Sequence, residues 1–127
     1  MVKYFYFLML FGLSFSCQVQ DIERYNSDFS GEWRTDPFYS PSAGDTVRNY
    51  FTVDGRDSGF GIGCNLDCSF CDCLSFFVGR IRFNTSNNSI QIGGTVNQIL
   101  QVKEEPFINE QGIWELKLEE LSYFKFN

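Results

Sequence analysis

The stretch Phe77-Val78-Gly79-Arg80-Ile81-Arg82-Phe83-Asn84-Thr85-Ser86-Asn87-Asn88-Ser89-Ile90-Gln91-Ile92 decides the fold class. Phe77, Gly79, Ile81 and Phe83 alternate with Val78, Arg80, Arg82 and Asn84. That period of two belongs to a strand with one face in a core and the other, here basic, in water. Ser86-Asn87-Asn88 is turn chemistry, and Ile90 and Ile92 restore the inward face on the return. Two Asn-x-Ser/Thr sequons, at Asn84 and Asn87, fall in this same polar turn.

Reading outward toward the C-terminus, Gly93-Gly94 breaks the strand and Val96, Leu100 and Val102 line the next one. Glu104 to Gln111, with Pro106 inside it, reads as a loop. Trp114, Leu116 and Leu118 line a further strand, and Leu121 to Phe126 closes the chain. Toward the N-terminus, Val47, Phe51 and Val53 share one face of Asp45–Asp54, with Asn49 as the polar exception. Asp54-Gly55 marks a turn. Asp36 to Gly44, with two prolines, is a loop, and Phe29-Ser30-Gly31-Glu32-Trp33-Arg34 reads as the first strand. No amphipathic helix interrupts the series. The pattern predicts an all-β domain over 29–127, a small antiparallel barrel or sandwich of about seven to eight short strands.

Composition narrows the chemistry. Of 127 residues, 43% are hydrophobic and 15 are Phe, so the core should be aromatic. The net charge is −6 and no basic run tracks a phosphate backbone, which argues against nucleic acid as a partner. There is no histidine. Ser-His-Asp and Cys-His catalysis and imidazole ligation are therefore excluded. No base, nucleophile and oxyanion donor can be assembled from what remains, so a non-enzymatic role is expected.

Residues 1–16, MVKYFYFLMLFGLSFS, have a positive start at Lys3, an apolar run from Tyr4 to Leu13 and small residues before a cut after Ser16. That is the layout of a signal peptide. The apolar run falls short of the ~20 residues a bilayer span needs. The stretch Leu13-Ser14-Phe15-Ser16-Cys17 resembles the lipobox of bacterial lipoproteins. The resemblance implies export to the cell envelope, acylation of Cys17, and the membrane as a partner through that anchor. Plain secretion as a soluble protein is the alternative. Residues 17–28, polar and of mixed charge, read as a tether. The two ends of the domain, FSGEW and GIWELKLEELSYFKF, resemble those of small lipocalin-like bacterial lipoprotein domains. This implies a barrel with an internal or edge ligand site and no catalytic residues. Trp33 and Trp114 are then core residues or, at an open barrel end, the first candidates to touch an apolar small ligand. An envelope protein is the other expected partner.

Four of the five cysteines lie in GCNLDCSFCDC, residues 63–73. Cys64, Cys68 and Cys71, with Phe70 before the third, resemble the iron–sulfur motif of the radical S-adenosylmethionine enzymes. That family needs a large α/β barrel, whereas here 54 residues follow Cys73 and no alternating helices are predicted. Zinc held by Cys64, Cys68, Cys71 and Cys73 is the alternative cofactor reading, although structural zinc sites prefer two separated pairs. Export favours disulfides. If Cys17 is taken by lipid, four cysteines remain, an even number with three pairings. Pairing Cys71 with Cys73 makes the smallest ring and is disfavoured. Cys64–Cys73 with Cys68–Cys71, and Cys64–Cys71 with Cys68–Cys73, both stay open. The leading expectation is a disulfide-stapled loop at 63–74 and no cofactor. A thiol-active role for this cluster is the competing reading, but a thioredoxin-like context of alternating strands and helix is missing. Asp54, Asp57, Asp67 and Asp72 lack the spacing of a calcium loop and read as solvated turns.

Overall fold

The hairpin at 77–92 is the hinge of a closed sheet. The computed structural model describes residues 18–67, 71–93 and 98–127. Along the chain come β1 (Val19–Asp21), α1 (Ile22–Tyr25), a 3-10 turn (Ser27–Phe29), β2 (Gly31–Arg34) and β3 (Phe38–Ser40). They are followed by β4 (Asp45–Asp54), β5 (Asp57–Cys64), β6 (Ser75–Asn84), β7 (Ser89–Ile92), β8 (Gln98–Ile108), β9 (Trp114–Leu118) and β10 (Leu121–Lys125). Among the described residues strand makes up 61% and helix 7%, and no helical layer covers the sheet. The inner face is buried by closure instead. From β4 to β10 each strand pairs antiparallel with the next, and β2 pairs with both β4 and β10. The result is an eight-stranded antiparallel barrel, with β1 added beside β6 and β3 beside β4.

The interior is aromatic, as the composition predicts. Trp33, Phe29, Phe51, Phe83 and Tyr123 are at most 1% exposed. Phe51 and Phe60 meet edge to face at 6.2 Å, and Tyr25 stacks on Phe83 at 3.9 Å. Aliphatic side chains from the other strands, Ile81, Ile90, Ile92, Leu100, Leu116 and Leu118, fill the space between the rings. Strand alternation gives the barrel two ends. One carries the turns at 54–57, 85–88 and 109–113 and is plugged by Ile22 and Phe29, both fully buried. The other carries the segment 35–44, the cysteine loop between β5 and β6, and the tight turn at Glu119-Glu120.

Four stretches depart from the sequence reading. Residues 18–28, expected to be a tether, belong to the folded unit: β1 pairs with β6 from Val19 to Asp21, and Ile22 joins the core. Mixed charge hid this, because the one buried residue sits among solvated ones. The loop expected at Glu104–Gln111 is largely strand, since β8 runs to Ile108. Pro106 is accommodated because pairing with β9 shifts register twice there, and because β7 pairs with β8 only as far as Gln101. A proline fits at such a bulged edge, where no ladder donor is needed. The loop expected at Asp36–Gly44 contains the short β3, paired with β4. The first barrel strand starts at Gly31, with Phe29 in the plug rather than in a strand. The expectations placed on the signal peptide (1–16), Cys17, Cys68, Phe70, Gly94 and Val96 lie outside the described residues.

Ser58 points its hydroxyl into this interior at 4% exposure and, among the described residues, finds no hydrogen-bond partner. A buried unpaired hydroxyl carries its full desolvation cost. Ser58→Ala is therefore expected to raise stability by about 1 kcal/mol in urea unfolding. A loss of stability would mean that the hydroxyl has a partner in solution.

Candidate functional site

The end opposite the plug carries the features that are not simply barrel. Cys64, the last residue of β5, is fully buried, and its sulfur is joined to that of Cys73. Of the two pairings left open by the sequence, the one containing Cys64–Cys71 is thereby excluded. Cys71 is disulfide-bonded too, and its expected partner Cys68 lies outside the described residues. Three of the four sulfurs needed for the zinc reading, those of Cys64, Cys71 and Cys73, are thus in disulfides, and this removes Cys64 and Cys71 from the iron–sulfur reading. Among the described residues no group of three or more His, Cys, Asp or Glu is arranged around a common point.

The loop is pinned from both sides. Leu74 donates its N–H to the Ile62 carbonyl at 2.9 Å, and Asn65 donates to Cys71 at 2.9 Å. Gly63 adopts φ +64°, and a Cβ there would lie 2.8 Å from Leu74 Cδ1. The backbone conformation favours glycine, and any larger residue would have to displace the Leu74 side chain.

Asn49 fixes Gly63 from within the barrel. The Gly63 N–H donates to Asn49 Oδ1 at 2.9 Å, and Asn49 Nδ2 donates to the Tyr123 hydroxyl at 3.1 Å. The Asn49 backbone exchanges two bonds with Thr35, one of them through the Thr35 hydroxyl. The register of β4 against β5 shifts between Arg48 and Tyr50, which turns Asn49 into this position. The polar residue that interrupted an apolar face is thus a satisfied buried node. Burial pushes the Tyr123 hydroxyl up to about 12, against the opposing effect of Asn49. It remains a neutral donor and acceptor under ordinary conditions.

Between the pinned loop and the β3–β4 hairpin lies an open cleft of about 490 Å³. Val47, Leu66 and Leu74 supply apolar lining, and Asp45, Asp67 and Asp72 stand at its edges. Leu74 leads onto the outer face of β6, where Phe76 and Val78 are 49% and 65% exposed. They lie on the face of β6 opposite to inward Phe77, in register with Gly61 and Gly59 of β5. The arrangement can hold a partner against an apolar strip.

Trp33 and Trp114 occupy the plugged end instead. Trp33 is fully buried, and its indole N–H donates to the Phe29 carbonyl at 2.8 Å. Trp114 is half-buried. Lys125 Nζ lies 4.9 Å from the Trp33 ring and 5.1 Å from the Trp114 ring, so one ammonium serves both. The sequence reading singled out both tryptophans but overlooked the lysine between them. A lysine at an inward strand position next to an aromatic is the signal that was there to use.

The staple's contribution is measurable. The double substitution Cys64→Ala/Cys73→Ala is expected to cost about 2–3 kcal/mol in urea unfolding under oxidising conditions. With reductant present the unsubstituted protein should fall to the same level or below. Equal stability of the two in the absence of reductant would show that the bond does not constrain the unfolded chain.

No family model, curated protein or solved structure matches this chain.

Proposed function

We propose that this chain is an exported, lipid-anchored barrel without catalytic activity, which binds a protein partner in the cell envelope through its cysteine-loop end. One observation carries the reading: a barrel packed through with side chains supports a single covalently pinned loop, continuous with exposed Leu66, Leu74, Phe76 and Val78. A filled interior argues against the internal apolar ligand that a lipocalin-like domain would otherwise imply. A ligand entering there would have to displace Phe51, Phe60 and Tyr123. An apolar outer strip beside a rigid loop is instead the kind of surface that proteins dock on. Anchoring at Cys17 rests on the lipobox-like stretch, and the oxidised cysteines are consistent with an oxidising compartment.

The test is intact mass of the mature protein from its native host, before and after reduction and alkylation. A diacyl or triacyl increment on Cys17, with four cysteines that alkylate only after reduction, is the expected result. An unmodified Cys17 would leave a soluble secreted protein. Four cysteines that alkylate without reduction would return the thiol or zinc reading.

A further inference from the structure

The tether that the sequence promised is folded into the barrel, and this determines where a lipid on Cys17 must sit. The Gln18 carbonyl accepts from the Thr85 N–H at 2.8 Å and from the Thr85 hydroxyl at 3.2 Å. Val19, Gln20 and Asp21 pair with Asn84, Phe83 and Arg82. Arg80 then clamps Asp21 through two nitrogens at 2.9 and 3.1 Å, and Ile22 enters the core. From Gln18 onward the chain is committed to the barrel. One Cα–Cα step, ~3.8 Å, separates it from Cys17. The polar layer of a bilayer leaflet is itself about 5–7 Å thick. Even with the Cys17 side chain and glyceryl carbons added, so short a spacer leaves the barrel against that layer.

We infer that the mature protein rests directly on the membrane, with the 85–88 turn of its plugged end in the headgroup layer and the disulfide loop held away from it. This rests on the acylation of Cys17 proposed above. The ten residues of β6 connect the two places, and at ~3.3 Å each they span about 30 Å. The chemistry of the turn suits the site. Thr85, Ser86, Asn87 and Asn88 are exposed and uncharged, and none has an apolar side chain to enter hydrocarbon. The same end carries exposed Arg56 and Arg82 and the acidic Glu23, Asp54 and Asp57. That mixture matches a zwitterionic headgroup layer, whose phosphates and ammonium groups alternate. The surface that docks on lipid and the surface proposed to dock on a protein are then at opposite ends. Neither obstructs the other.

The experiment uses the acylated full chain in phosphatidylcholine nanodiscs, doped with a lipid whose headgroup carries gadolinium. Amide signals of 84–88 should be broadened severalfold more than those of 65–67 and 71–74. A variant with a Gly-Ser linker inserted between Cys17 and Gln18 should lose most of that difference. Intact mass on the same sample separates the two ideas. Without an acyl increment, both the anchor and this placement fail. With the increment but equal broadening at the two ends, or no effect of the linker, the anchor stands and the placement is overturned.

Discussion

Asn49→Ala is expected to remove about 2–4 kcal/mol of folding stability, because it strands two buried groups together. The Gly63 N–H loses its acceptor and the Tyr123 hydroxyl loses its donor. Both groups lie in buried positions, with Gly63 buried, Asn49 5% exposed and Tyr123 1% exposed. Against the 5–15 kcal/mol typical of a single domain, this is a large share. The effect should also be local. Gly63 begins the cysteine loop, so its amide should exchange faster in the variant than the amides of β9. Tyr123→Phe tests the other half of the pair. It leaves the Gly63 bond intact and should cost only about 1 kcal/mol. If Asn49→Ala costs no more than Tyr123→Phe, the bond to Gly63 contributes nothing and the node is incidental.

Trp33→Ala should be the more damaging change, at about 3–5 kcal/mol. Trp33 is the largest fully buried side chain, and its indole N–H holds the Phe29 carbonyl of the plug. Its removal leaves a cavity at the closed end and frees the 3-10 turn at once. It also takes away one of the two rings that face the Lys125 ammonium. Trp33→Phe refills much of the volume but cannot donate to Phe29, so it should fall between the two. Thermal and urea unfolding would rank the three proteins. If Trp33→Phe proved as costly as Trp33→Ala, the hydrogen bond rather than the packed volume would dominate at this position.

The fold class was legible because the barrel obeys a rule that the sequence shows on its face. Inward positions of β6, β7 and β9 carry Ile81, Phe83, Ile90, Ile92, Leu116 and Leu118, and all are buried. Closure was not legible, because it depends on β2 meeting β10, two segments at opposite ends of the chain. The plug was missed for a different reason. Ile22 is one apolar residue among Asp21, Glu23 and Arg24, too little for a periodic signal, and its burial follows from β1 pairing with β6. Pro106 misled by carrying the right rule to the wrong conclusion. It does forbid a central ladder position, but β8 passes beyond the reach of β7 before the proline arrives. In the cysteine loop, spacing alone could exclude Cys71–Cys73 as a small ring. It could not choose between the remaining pairings. That choice follows from Cys64 ending a barrel strand one residue after the pinned Gly63, with Cys73 brought back beside it by the Leu74 bond to Ile62.

The lysine between the two indoles has an optical consequence. Trp33 and Trp114 are all the tryptophan the chain has, and both face Lys125 at the plugged end. Tryptophan emission, excited at the red edge where tyrosine does not absorb, therefore reports one location rather than an average over the molecule. An event that shifts Lys125, the plug or the environment of that end will change colour or intensity. An event confined to the cysteine loop will leave the spectrum untouched. The protein thus carries a built-in tryptophan probe at one pole, which follows that end without an attached dye.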